Sequence, residues 1–273
     1  MMTSEAFSEF EKRGWSDADV ALNYADGFAN ASEQSVPELV AQVRAGPGCR
    51  ALDLCCGQGI VAAGMARAGA QVKGLDFSPA MLELARERVP GVDFVEGDAM
   101  NLPFEAKSFD AVTIGFGILH VPDAERALAE AHRVLRPGGR LAFSVWHLPT
   151  RPSVLAYAMG AVMELGDPNV DLPSGPGLFD YADPETSGAA LKRAGFFDVS
   201  HTAIDSFWMV DDPDLPGEFL IRGTVRFAAL LGGQPADVQA RIRKAIADKI
   251  CAEHGSTGPW RVPVPAIVFS ATA

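Results

Sequence analysis

Between residues 50 and 147 the chain alternates short apolar runs with longer stretches that mix apolar and polar residues at helical spacing. The apolar runs predict strands that are buried on both faces. They cover residues 50–56, 71–77, 92–98, 109–117 and 139–146. The mixed stretches predict amphipathic helices between them. Because strands and helices that alternate in this way form βαβ units, this part of the chain predicts a parallel sheet.

Capping and turn residues mark the ends of the helices. Ser78 and Pro79 suit the first turn of one helix, because a hydroxyl caps free N–H groups and proline already has a helical φ. The next helix is expected to begin near Asp123 and to end at RPGG (residues 136–139), since proline and glycine do not continue a helix.

After residue 147 the regular alternation stops. Residues 152–165 predict a helix, and a loop rich in proline and glycine leads to another helix capped by Asp183. Residues 196–210 predict a single strand and residues 213–255 are mainly helical in pattern. A final strand is predicted over residues 262–271.

We expect one domain over residues 1–273, with an N-terminal helical segment at 1–48, a ligand-binding core at 49–147, and insertions at 148–183 and 211–260. The insertions are rich in large apolar side chains and poor in charge clusters, so they predict a helical lid over an apolar small molecule. The candidate wall residues are aromatic: Phe179, Tyr181, Phe207, Trp208, Phe219 and Phe227.

The formal net charge of −12 and the scattered basic residues disfavour a nucleic-acid partner, which needs a positive face. The first residues lack the features of a signal peptide, and no apolar run approaches the length of a membrane span. We therefore expect a cytoplasmic protein without a membrane partner. A homodimer is possible.

The four cysteines and the five histidines show no spacing typical of a metal site or a disulfide framework. No metal is predicted.

A glycine-rich turn follows the first predicted strand and opens a helix. Gly57 and Gly59 in this turn lack a Cβ, which permits a positive φ or the close approach of a ligand to free N–H groups. The same residues fit the GxGxxA dinucleotide fingerprint, with Asp76 at the end of the next strand to bind ribose hydroxyls. An adenosine-containing cofactor is therefore expected, and a plain strand-to-helix turn is the simpler alternative.

Four motifs in order extend this turn into a family resemblance. They are ALDLCCGQG (51–59), GLDFSPAMLELAR (74–86), VEGDAMNLPFEAKSFDAV (95–112) and GFGILHVPDAERALAEAHRVLRPGGRLAFSVW (115–146). Together they resemble the class I S-adenosylmethionine (SAM)-dependent methyltransferases, in particular the small-molecule enzymes of ubiquinone and menaquinone biosynthesis. The resemblance implies an α/β, Rossmann-like doubly wound sheet of seven strands, with the last strand antiparallel. It also implies SAM as cofactor and S-adenosylhomocysteine as product.

The resemblance assigns cofactor contacts position by position. The loop under the methionine part comprises Asp53, Cys55, Gly57 and Gly59. Cys55 stands where the family has its first glycine, which tests whether that position requires a positive φ. The other assignments are Asp76 to the ribose, Phe77, Met81, Asp98 and Ala99 to the adenine, and Gly115 to the methionine part. Tyr24 either closes over the methionine end or packs in the core.

Two histidines are candidate general bases for methyl transfer to an oxygen, nitrogen or carbon atom of an apolar acceptor. His120 and His147 follow the fourth and fifth strands, at the rim where ligands bind in an open α/β sheet. For each, packing beside a loop proline is the alternative.

Two other functions stay open from the sequence. An NAD(P)-dependent oxidoreductase would share the glycine-rich turn, although none of the three tyrosines has a lysine four positions later. A protein of the methyltransferase fold that binds SAM without transferring methyl would share all four motifs.

Overall fold

In the computed structural model, which describes residues 4–273, nine strands form two sheets. The strands are β1 (Arg50–Leu54), β2 (Gln71–Asp76), β3 (Asp93–Glu96), β4 (Phe109–Gly115), β5 (Leu135–Trp146), β6 (Phe197–Ile204), β7 (Phe207–Val210), β8 (Trp260–Pro263) and β9 (Ala266–Thr272). The larger sheet has the order β3-β2-β1-β4-β5-β9-β6, and β7 pairs with β8 in a separate ribbon. Only β9 runs antiparallel within the larger sheet, between β5 and β6. This confirms the seven-stranded Rossmann-like sheet with an antiparallel last strand.

Within residues 4–273, twelve α-helices connect or cover these strands. They are α1 (Ser4–Trp15), α2 (Ala18–Asn23), α3 (Ala29–Ser32), α4 (Val36–Gln42), α5 (Ile60–Arg67), α6 (Pro79–Arg88), α7 (Ala124–Val134), α8 (Val154–Leu165), α9 (Pro184–Arg193), α10 (Leu215–Arg222), α11 (Val225–Gly232) and α12 (Ala236–His254). Ser78 caps α6 through a hydroxyl that accepts from the Met81 N–H, and Asp123 and Asp183 cap α7 and α9 in the same way. The sequence predicted the caps at Ser78 and Asp183 and a helix start near Asp123. The part of the predicted N-terminal helical segment at residues 1–3 lies outside the described residues.

Buried apolar residues cover both faces of the sheet and continue into a second core. Helices α4 and α5 pack on one face, and α7 and α9 pack on the other. The second core joins α8, α10, α11 and α12 to the β7–β8 ribbon. It lies beyond the ends of β4 and β5, to which Phe116 and Trp146 connect it. None of the helices described, α1 to α12, combines the length and apolarity that crossing a membrane requires.

Three predicted elements have different boundaries in the structure. The single strand predicted over residues 196–210 is divided at Asp205 and Ser206, because the N–H of Val264 donates to the Ser206 carbonyl and the Ser206 hydroxyl donates to the Val264 carbonyl. This pairing turns β7 away from the large sheet and onto β8, which also takes Val262 and Pro263 from the predicted last strand. At RPGG, the helix already ends at Val134 and the segment enters β5. The pairing of β4 with β5 shifts register there.

Candidate active site

A cavity of about 420 Å³ lies at the carboxyl ends of β1, β2 and β4, where the strand order reverses. This is the switch point at which open α/β sheets bind their ligands. The glycine-rich turn forms one wall, and α1, the helical turn between α2 and α3, α8, α10 and α11 contribute residues to the others. Of the predicted cofactor and catalytic residues, the cavity wall includes Tyr24, Asp53, Cys55, Gly57, Asp76, Phe77, Met81, Gly115 and His120.

The backbone of the glycine-rich turn is left-handed at three positions. Cys55 has φ +52°, Gly57 has φ +52° and Gly59 has φ +83°. Cys55 therefore keeps the positive φ for which the family uses glycine, at a cost of about 1–2 kcal/mol for an L-residue. Gly117 makes room for the Cys55 side chain, since a Cβ at position 117 would overlap the Cβ of Cys55.

The Asp76 carboxylate, at the end of β2, is hydrogen-bonded to the backbone of the glycine-rich turn. Its Oδ2 accepts from the Gly57 N–H and its Oδ1 from the Ser78 N–H, both at 2.9 Å. Burial raises the pKa of Asp76, while these hydrogen bonds and the nearby His120 act in the opposite direction. The carboxylate is thus held rigidly at the cavity wall, with lone pairs left to accept from a ligand.

Asp53 is fully buried beneath the same turn. Its Oδ1 accepts from the Thr113 hydroxyl at 2.9 Å, and its Oδ2 accepts from the Ala62 N–H at 2.8 Å. Burial raises the pKa of Asp53 to about 7, and the Asp76 carboxylate adds to the rise. An incoming cation would therefore meet a carboxyl group that ionises in the physiological range.

Gln58 is a cavity residue that the sequence reasoning missed, although it lies inside the glycine-rich motif. Gln58 is 2% exposed, and its amide nitrogen has no hydrogen-bond partner among the described residues. A buried donor of this kind requires an acceptor, which a carboxylate such as that of SAM supplies. The turn, Gln58, Asp53 and Asp76 thus fit the two charges and the ribose of SAM.

Two predicted adenine residues lie in a small pocket beside the main cavity. Asp98 and Ala99 line this space of about 20 Å³, which shares Cys55, Asp76, Phe77 and His120 with the cavity wall. The Asp98 Oδ1 accepts from the Met100 N–H at 2.8 Å. Gly59 is behind the wall, where it precedes α5 and faces the ring of Phe94.

A polar cluster from three distant elements closes the cavity beside His120. Glu11 on α1 lies 3.0 Å from the His120 Nδ1 and 3.8 Å from the Arg226 Nε on α11. Trp15 packs its ring edge-on against His120 with centroids 5.1 Å apart. Glu11 and Arg226 were also missed by sequence reasoning, because neither lies near a recognisable motif.

Apart from the turn and the polar cluster, the cavity wall is mainly apolar. It includes Phe28, Leu119, Trp146, Leu155, Met159, Leu172, Leu178, Phe179, Leu220, Phe227 and Leu230. Of the six aromatic residues expected in this wall, Phe179 and Phe227 are present. Tyr181, Phe207, Trp208 and Phe219 are absent from it, and Trp208 is instead buried in the second core.

His147 also lies outside the residues that line either space. Its Nδ1 is 3.2 Å from the Leu148 carbonyl oxygen, at the end of β5. We therefore carry forward His120 alone as the candidate base.

Comparison with known proteins agrees with this geometry. Residues 52–143 match the family model described as "Methyltransferase domain". The chain is 44% identical over 119 residues to a 2-phytyl-1,4-naphtoquinone methyltransferase of Nostoc punctiforme, covering 40% of this chain and 52% of that protein. It is 37% identical over 172 residues to a demethylmenaquinone methyltransferase of Renibacterium salmoninarum, covering 60% of this chain and 73% of that protein.

A solved structure supports the fold alone. The YcgJ protein from Bacillus subtilis superposes with a TM-score of 0.58 at 21% identity, over 87% of this chain and 97% of that one. The chain belongs to the class I SAM-dependent methyltransferases of the small-molecule type. SAM is the cofactor of that class, and the expected NAD(P) alternative is not supported. The chain spans about half the length of the Nostoc relative and 73% of the Renibacterium relative.

Proposed function

We propose that this protein transfers the methyl group of SAM to a neutral, apolar small molecule that carries an ionisable hydroxyl group, such as a naphthoquinol. The observation that carries the proposal is one continuous cavity, whose wall combines the SAM-fitting turn with mainly apolar side chains. His120 lies on the same wall. The printed names of the two quinone-methylating relatives support a quinol ring as the acceptor.

In this proposal each cofactor residue has a physical role. Bound SAM supplies an electrophilic methyl group on a sulfonium. Asp76 accepts hydrogen bonds from the ribose hydroxyls, the Gln58 amide donates to the methionine carboxylate, and Asp53 balances the positive charge near the turn. The remaining contacts are those of the family resemblance: the backbone at Cys55, Gly57, Gly59 and Gly115, the adenine contacts Phe77, Met81, Asp98 and Ala99, and Tyr24 over the methionine end.

The acceptor is neutral because the basic side chain on the cavity wall is already engaged. The Arg226 guanidinium donates to the carbonyls of Leu119 and Pro176, at 3.4 and 2.5 Å, and faces Glu11. Burial lowers the pKa of Arg226, and Glu11 opposes that effect. Arg226 is therefore not available to pair with an acidic acceptor, whose charge would be desolvated on entering the apolar part of the cavity.

Catalysis would come from positioning and proton removal. The apolar wall excludes water and holds the acceptor against the methyl group, which makes the displacement effectively intramolecular. His120 accepts the hydroxyl proton, so that the oxygen, or a ring carbon conjugated to it, becomes nucleophilic.

The test is an assay of S-adenosylhomocysteine formation with freshly reduced 2-prenyl-1,4-naphthohydroquinone and with the same ring bearing a carboxylate. We expect turnover with the neutral quinol and little with the acid, together with a product heavier by one methyl group. Binding of SAM without turnover on the neutral quinol and on simple phenols would contradict the proposal and favour a SAM-binding protein that does not methylate.

A further inference from the structure

Glu11 is a buried carboxylate that the cofactor site does not use. It belongs to α1 and is 1% exposed, whereas Glu9 on the same helix faces solvent. Burying a carboxylate costs several kcal/mol unless it is paired and hydrogen-bonded. The residues around Glu11 must therefore supply hydrogen-bond donors or a positive charge.

Two partners of Glu11 meet the same oxygen. The Glu11 Oε2 accepts from the Trp15 Nε1 at 3.0 Å and lies 3.0 Å from the His120 Nδ1. The other oxygen, Oε1, has no hydrogen-bond partner within residues 4–273 and lies 3.8 Å from the Arg226 Nε. One partner from the same helix, Trp15, and two from elements remote in sequence, His120 and Arg226, thus surround one carboxylate.

This contact selects one form of the His120 ring. Two groups face this Nδ1: the Trp15 Nε1, which is a donor, at 3.4 Å, and the Glu11 Oε2, which is an acceptor, at 3.0 Å. The Trp15 N–H makes its shorter contact with the same Glu11 oxygen, at 3.0 Å, so the carboxylate is the partner of Nδ1 and Nδ1 carries the proton. In the neutral imidazole, Nε2 is then the unprotonated nitrogen, which is the form that a general base needs. The edge-on contact with Trp15 restricts the ring further.

We propose that Glu11 is a positioning residue that holds His120 in the Nδ1–H tautomer and in a fixed orientation toward the acceptor. This rests on the proposed role of His120 as base. The acceptor proton passes to Nε2 while the acceptor atom forms its bond to the methyl carbon. The carbon–sulfur bond breaks with its electron pair left on sulfur. The imidazolium that results is stabilised by the Glu11 carboxylate.

Other charged side chains lie near His120 or Glu11. Asp76 at the end of β2 and Lys12 on α1 line the small pocket together with His120, and Arg226 faces Glu11 from α11. Arg226 offsets the carboxylate while the ring is neutral.

The first experiment reads the tautomer directly and needs no acceptor. Protein labelled with nitrogen-15 histidine is studied by long-range proton–nitrogen NMR, and the signals of His120 are identified by their loss in His120→Asn. We expect the neutral ring to be protonated at Nδ1 in the unmodified protein and in Glu9→Ala, and to become a mixture of tautomers in Glu11→Ala. A ring that keeps the Nδ1–H form in Glu11→Ala overturns the proposal.

The second experiment is a double-mutant cycle with 2-prenyl-1,4-naphthohydroquinone as acceptor. Glu11→Ala is expected to lower kcat by about 10- to 100-fold with SAM affinity unchanged, since it weakens a base that contributes about 10²–10⁴-fold. In the His120→Ala background the same change should have no further effect. Equal losses in both backgrounds overturn the positioning role.

The two experiments separate this proposal from the proposed function. Full activity in His120→Ala would remove His120 as the base and leave the tautomer result standing. Glu11→Asp shortens the side chain but keeps the carboxylate, and we expect it to restore part of both the tautomer preference and kcat. Failure of Glu11→Asp to recover either quantity, in a protein that melts like the parent, would count against the positioning role.

Discussion

At the scale of single residues, the most informative group is Asp53. Its raised pKa of about 7 means that the folded protein without ligand holds a proton there that the unfolded chain releases near the ordinary value of 3.8. The contribution of Asp53 to the free energy of unfolding is therefore lost as pH rises from about 3.8 to about 7. A cation placed beside the Asp53 carboxyl group lowers its pKa, because the cation favours the ionised form.

We therefore predict that SAM binding releases a proton near pH 6 and that SAM affinity increases as pH rises from about 6 to about 8. The measurement is calorimetry in pairs of buffers that differ in ionisation enthalpy. In Asp53→Asn the released proton should disappear, even though Asp76 is still present. The same heat in both buffers for the unmodified protein would show that Asp53 does not sense the ligand.

Gly117 and Cys55 give a second prediction at this scale. In Gly117→Ala the new Cβ would overlap Cys55, so the left-handed turn must move and SAM affinity should fall by about 10-fold or more, which corresponds to about 1.4 kcal/mol. Calorimetric titration with SAM gives the change. Cys55→Gly added to Gly117→Ala removes the overlap and should recover most of the affinity.

The matched control for this substitution is Gly160→Ala in α8, where a new Cβ meets nothing within 4 Å. It should bind SAM like the parent protein. If Gly117→Ala also binds normally and melts at the same temperature, the turn tolerates a displaced Cys55, and its shape is not what holds the cofactor.

At the scale of helices and strands, local patterns predicted the type of most elements. β1, β2, β4 and the helix caps at Ser78, Asp123 and Asp183 are determined by short-range signals: buried apolar runs and side chains that satisfy nearby N–H groups. The division of residues 196–210 has no such signal. It depends on the pairing of Ser206 with Val264, 58 positions further along the chain.

The same distinction explains which site residues could be predicted. Asp53 and Asp76 belong to strands β1 and β2 and lie within motifs, so topology and family resemblance place them together. Glu11 lies on α1 among charged residues, a pattern that is typical of a solvated helix. Its burial depends on contacts with His120 and Arg226, which are 109 and 215 positions away in sequence. Local sequence patterns cannot show contacts at that separation.

At the scale of the whole molecule, the cavity lies between the core on the main sheet and the second core of helices. A bound ligand therefore contacts both. Tryptophan fluorescence reports mainly on the second core and on α1, since Trp146, Trp208 and Trp260 are buried in the second core and Trp15 lies on α1. Far-ultraviolet circular dichroism, in contrast, follows the helices and strands of the entire chain.

We predict that S-adenosylhomocysteine at about 100 times its Kd raises stability by about 2.7 kcal/mol and Tm by about 5–10 °C. Because the ligand bridges both cores, tryptophan fluorescence and circular dichroism should show the same increase. NAD, as the control ligand, should leave both transitions unchanged. An increase in the circular dichroism transition alone would mean that the ligand contacts the sheet without engaging α1 and the second core. The acceptor chamber would then be independent of the cofactor site, contrary to the continuous cavity on which the proposed transfer depends.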